Sequence, residues 1–336
     1  MRRVLWLFAV ALAACSDDDP EPDPRPTLVY LEASEARLVR VNSNGSGRQL
    51  LYDGTDGATL APAPTPDGTS ILFGTEADDG AITWRMVPEG GGPATTLAAP
   101  PDVLQPRWSP DGNFIAWFSS TGAGFIGMSS PGSTTFSTRT PSEWTVNNRM
   151  NWAPNGTSLA FERRLPGGDI DLYILLAGGD MLPLSVGEHI DYGPGWSPDG
   201  SLVAFLRNDL SDANSGIYTV KPDGTDLQQL VVGRFYSEVY WSPDGTRLVT
   251  SRFGGPNLDF QLVTVDVATR VVTPAFAPST RWEYYANPWS PGGEFLLETD
   301  ANASGGYAVI TKDGLGGRQQ VSPDSVEATS PAWIPE

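Results

Sequence analysis

At 336 residues, 40% hydrophobic and 18% charged, the chain can bury a large core and is not disordered by composition. A net charge of −19 repels phosphate backbones and argues against nucleic acid as a partner. One cysteine rules out an intrachain disulfide and every Cys-cluster metal site, and one histidine, His189, cannot build a multi-histidine zinc site, so no metal or cofactor is expected. The 37 Gly and 30 Pro, with short apolar runs between them, predict many turns and an all-β fold.

The first predicted element is an address. Arg2 and Arg3 precede an apolar stretch over residues 4–12, which has signal-peptide length and is too short to span a bilayer. It ends in Leu12, Ala13, Ala14 and Cys15, which resembles the lipobox of bacterial lipoproteins. That resemblance implies a signal peptide over 1–14 and a lipid on Cys15 that holds the chain to a membrane. The only cysteine of the chain stands at the one place a lipobox needs it. Residues 15–27 are acidic and Pro-rich, the composition of an extended tether. Ser16, in place of an Asp, favours outer-membrane sorting by resemblance to enterobacterial lipoproteins.

Past the tether, Leu28 to Leu31, Leu38 to Val41 and Gln49 to Tyr52 read as strands, and from there one motif recurs. Trp-Ser-Pro-Asp-Gly begins at Trp108, Trp196 and Trp241, with variants at Pro64, Trp152 and Trp289. The steps are 44, 44, 44, 45 and 48 residues, a propeller-blade period, and a further 44 reaches Trp333. Within the motif, Pro, Asp and Gly suit the second, third and fourth positions of a tight turn that follows the strand ending in Trp. An apolar strand follows each turn, as in Phe114 to Phe118 or Leu202 to Phe205. Then come a third strand (Ile217 to Val220), a Gly-containing hairpin (Lys221 to Thr225) and a fourth strand (Leu227 to Val231), giving four antiparallel strands per blade.

These residues resemble the TolB-type propeller repeat over residues 28–336, and with only a tether ahead of the first strand a TolB-like chain, not TolB itself, is expected. The N-terminal strands lack a motif Trp before them, and Ala332 to Ile334 form a first strand without the rest of a blade. The two ends should therefore pair and close the ring. Seven four-stranded blades are expected, with six as the alternative.

The motif carboxylates Asp67, Asp111, Asp199 and Asp244 read as turn residues, and the motif tryptophans as packing between blades. No nucleophile elbow, phosphate loop or EF-hand spacing occurs. His189 reads as a polar loop residue, and one histidine cannot supply the multi-histidine manganese site of propeller-type oligogalacturonate lyases. Function is then expected on the face where each fourth strand crosses to the next blade. Two crossings carry Phe235, Tyr236, Trp282, Tyr284 and Tyr285, and eleven residues after the motif Trp stand Arg163, Arg207 and Arg252 in successive blades. The candidate binding set is Arg163, Arg207, Arg252, Tyr236, Trp282 and Tyr285. The expected role is a non-catalytic envelope module or scaffold that binds a protein, peptide or glycan through this face. The alternative is an envelope hydrolase or lyase with an unrecognised site.

Overall fold

The computed structural model describes residues 26–32, 35–54, 57–119, 122, 124–209, 211–254, 259–276, 287–302, 305–312, 318–323 and 327–336. The described residues are all-β, and no helix among them is long and apolar enough to cross a membrane.

Each repeat folds as an antiparallel meander. In one, Ile190–Trp196, Val203–Asn208, Gly216–Val220 and Gln228–Val232 pair in sequence order, with Trp196 opposite Val203 and Val203 opposite Val220. The middle strands are buried on both faces, because each sheet is packed between two others, so they read as continuous apolar runs. Fourth strands such as Gln228–Val232 lie at the rim and are largely uncovered.

The motif turn is built as its residue types require. Gly112 N donates to Ser109 O at 2.8 Å, and Gly112 takes φ +71°, a left-handed value that glycine adopts without strain. First strands carry a second irregularity that periodicity did not announce. Their pairing slips by a bulge, and a residue with positive φ stands inside them at Ala61, Gln105, Gly193, Ser237 and Ser330.

Described strands form six hydrogen-bonded sheets, one of them eight-stranded. That large sheet is two four-stranded meanders touching through one parallel pair, Ile170 and Ile190. The C-terminal strand Ala328–Trp333 pairs with Thr27–Glu32, putting Leu28 opposite Trp333 and Val29 opposite Ala332.

Apolar clusters occupy the seams between consecutive meanders. Val29 and Leu31 pack with Ile71 and Phe73, Leu72 and Trp84 with Ile115 and Trp117, and Ala116 and Ile126 with Leu159 and Phe161. Further round, Ala160 and Leu172 meet Val203 and Phe205, Leu206 and Ile217 meet Trp241 and Val263, and Tyr240 and Val249 meet Trp289 and Leu296. The last seam joins Leu297 and Val321 back to Leu28 and Tyr30.

Candidate functional site

The recurring motif side chains hold the scaffold. Ser109 Oγ donates to Asp111 Oδ1 at 2.6 Å while accepting from Phe114 N at 2.9 Å, which ties both ends of the turn. Ser197 with Asp199 and Ser242 with Asp244 repeat the contact. These donors hold the carboxyls below the usual range, with Asp244 lowered to about 2, first by its bond from Ser242. The indoles link neighbouring blades. Trp152 Nε1 donates to Arg107 O at 2.9 Å, Trp241 Nε1 to Gly195 O at 3.0 Å and Trp333 Nε1 to Pro288 O at 2.9 Å. Trp108 and Trp289 donate in the same way to Ala63 O and Tyr240 O, both at 3.3 Å. Trp196 differs, its Nε1 being buried without an acceptor.

The three register-matched arginines have different surroundings. Arg207 is only 7% exposed, and its Nε and Nη2 both donate to Asp191 at 2.7 Å, with Nη2 also donating to Ser185 Oγ at 2.9 Å. Its fork is therefore occupied inside the protein. Arg163 is half-buried, with its guanidinium 3.9 Å from the Trp144 ring centroid and Nη1 donating to Tyr173 Oη at 3.2 Å. Between these two arginines lie Asp191 and Asp171. The Asp171 carboxyl is raised, first by burial; Arg163 works against that rise and Asp191 adds to it. Arg252 stands in the next meander, donating to Gln261 Oε1 at 3.5 Å, one residue past the pairing of Tyr236 with Ser251. Tyr236 is half-buried, and its carbonyl accepts from Thr250 and Ser251. Cys15, Trp282, Tyr284 and Tyr285 lie outside the described residues. His189 Nδ1 is 2.9 Å from Asp209 Oδ2 at the partly exposed loop expected for it.

Sequence reasoning passed over Glu162. This side chain is fully buried between two meanders, accepting from Asn147 Nδ2 at 2.7 Å and from Gly193 N at 2.8 Å, with Arg149 Nη1 at 3.7 Å. Burial raises its pKa, opposed by Arg149 and by both donors. Gly193 has φ +65°, and a Cβ there would stand 2.8 Å from Glu238 Cα, so the bulge that aims its N–H at Glu162 requires glycine. The signal was present in the repeat, because the position held by Glu162 is Phe118 and Leu206 in neighbouring blades.

The family model for the TolB beta propeller domain matches residues 88–336. The chain belongs to this family. Among solved structures of similar shape, TolB from Acinetobacter baumannii superposes with a TM-score of 0.56 at 16% identity, covering 89% of this chain and 79% of that one. An oligogalacturonate lyase solved with manganese superposes with a TM-score of 0.63 at 16% identity, covering 89% and 86%. At such identities the likeness shows the TolB-type fold alone. A Bacillus subtilis relative named uncharacterized peptidase YuxL is 32% identical over 118 residues, which is 32% of this chain. This TolB-type chain spans only 18% of that relative's length. The expectation of a chain without enzymatic activity is corrected, since a relative named as an uncharacterized peptidase shares sequence with it over 118 residues.

Proposed function

We propose that this TolB-type chain is a binding module of the bacterial cell envelope, anchored by lipid on Cys15 after removal of residues 1–14. Residues 15–27 serve as the tether, and residues 28–336 form a closed ring of seven four-stranded blades. The seven successive apolar seams and the pairing of Leu28 with Trp333 support that blade count and closure. The anchor is placed in the outer membrane, and the partner is a protein, peptide or glycan engaged through the crossing face.

One observation carries the binding reading. On a chain of net charge −19, Arg163 and Arg252 have no carboxylate within ion-pair distance among the described residues, and Arg163 is held flat against Trp144. A planar guanidinium fixed on a ring keeps N–H groups free for a carboxylate at little entropic cost. Tyr236, Trp282 and Tyr285 would supply apolar area beside them. Arg207 acts behind this surface by holding Asp191 in place.

Crosslinking in the native envelope followed by identification of the attached molecule tests the reading. Arg163→Ala or Trp282→Ala should cost on the order of 1 to 4 kcal/mol of partner affinity with thermal unfolding nearly unchanged. If both variants keep every native crosslink, the face is not the binding surface. Cys15→Ser should leave the protein unprocessed or unanchored, and a mature chain that starts elsewhere without acyl groups removes the lipoprotein reading. A hydrolase is the second reading, favoured by the stretch shared with the Bacillus subtilis peptidase. Labelling by an active-site serine probe would select it.

A further inference from the structure

The opposite end of the axis, where the motif turns converge, holds a cavity of about 430 Å³. Its walls include the rings of Trp108, Trp289 and Trp333 together with motif and neighbouring prolines. Its lining also carries five polar residues, Arg107, Asn151, Tyr240, Asn287 and Ser290, of which the first three each stand just before a motif Trp. The same register holds Ala63, Gly195, Pro288 and Ala332 in other blades.

Two of these groups are uncommitted. Among the described residues Arg107 has no carboxylate at ion-pair distance, and its guanidinium makes one long bond, Nη1 to Pro106 O at 3.5 Å. The Asn151 side chain is half-buried and makes no hydrogen bond among the described residues. Tyr240 is committed, its hydroxyl donating to the Glu238 carboxylate. The charges near that phenol are Glu238, Arg107 and Arg149. Of these, Arg149 lies against Glu162, and Arg107 has no such carboxylate partner among the described residues.

Apolar pockets with a few convergent donors bind ligands whose one polar group matches those donors. An arginine fork matches a carboxylate in plane and in charge, and an adjacent amide donor fits one of its oxygens. We propose that this axial cavity binds a molecule carrying one carboxylate on an apolar body. Arg107 and Asn151 grip the carboxylate, and Trp108, Trp289 and Trp333 hold the body. The site is separate from the crossing face, so either can fail without the other.

The cavity indoles provide the readout, through quenching of intrinsic fluorescence, with calorimetry beside it. The probes are N-acetyl-prolyl-phenylalanine as its free acid and as its amide, and benzoate with benzamide. Each binding acid should exceed its amide by roughly tenfold or more, the scale of a charged hydrogen-bonded pair. Preference for the peptide acid alone identifies a peptide C-terminus as the ligand source, and preference for benzoate as well identifies small organic acids. Arg107→Gln should bring acid and amide within about twofold of each other at an unchanged unfolding midpoint, and Asn151→Ala should narrow the gap in part. Equal binding of acid and amide by the unaltered protein, no binding of any probe at millimolar concentration, or a preference that survives Arg107→Gln would each overturn the proposal.

Discussion

Arg207 and Arg163 occupy the same register of adjacent blades and should respond differently to truncation. Removing Arg207 leaves Asp191, a carboxylate 1% exposed, without its counter-ion, and breaking a buried pair from one side costs about 3 to 5 kcal/mol. Truncating Arg163 removes its ring contacts, one bond to Tyr173 and its charge beside the partly compensated Asp171, with the ring contacts and bond worth about 0.5 to 2 kcal/mol. Denaturant unfolding of the two alanine variants checks the order, and equal losses would contradict the assigned roles. The sequence period located all three arginines but could not show what stands beside each in its own meander, where Asp191, Trp144 and Gln261 make them unlike. Glu162 gives a second test at this scale. Its folded pKa is raised by burial, so the folded state holds a proton that the unfolded state releases first. Stability from this group is greatest below its unfolded pKa and falls as pH rises through the folded value. Asp244 acts in the opposite direction: its contribution is present above its unfolded pKa and is lost as pH falls toward about 2. Glu162→Gln should flatten the loss on the alkaline side of the unfolded Glu value while leaving the acid limb in place. An unchanged slope there would show that Glu162 does not carry it.

The strand and turn elements were legible because each local choice agrees with the repeat: Trp ends a strand, Ser-Pro-Asp-Gly turns the chain, and an apolar run returns. The bulges of the first strands were not legible. Gln105, Ser237 and Ser330 adopt positive φ without the glycine that would have marked them, since packing of the first strands sets their backbone. The indole bonds between blades are a property of the element that mutation can isolate. Trp152 and Trp196 are both half-buried at equivalent positions, but Trp152 Nε1 donates to Arg107 O and Trp196 Nε1 has no acceptor. Phenylalanine removes similar ring area at each site, so the difference between the variants isolates the hydrogen bond. Trp152→Phe should be less stable than Trp196→Phe by about 0.5 to 1.5 kcal/mol in denaturant unfolding. Equal costs would mean that the blade-to-blade bond contributes nothing net.

At the scale of the whole molecule, the N-terminal strand is paired by a strand contributed from the far end of the chain. Ala328–Trp333 covers the edge of Thr27–Glu32, and Ile334 N donates to Thr27 O at 3.0 Å. Trp333 is buried in the seam with Leu28 and Tyr30, and Ala332 and Ile334 are buried in the next seam with Val29 and Leu31. One strand thus serves two seams, and without it the Thr27–Glu32 strand becomes an exposed apolar edge. The pairing of these two strands was readable from the lone strands at each end, because neither can bury its own apolar face. A chain ending at residue 327 should lose cooperative unfolding and self-associate through that edge. Trp333→Ala alone should cost about 3 to 5 kcal/mol, the range for emptying a large core side chain. A synthetic peptide spanning residues 328–336 should restore monomeric behaviour and raise the unfolding midpoint of the shortened chain, since it supplies the missing pairing and both sets of buried side chains. A shortened chain that stays monomeric and unfolds at the same denaturant concentration as the full one would show that the fold does not depend on this pairing.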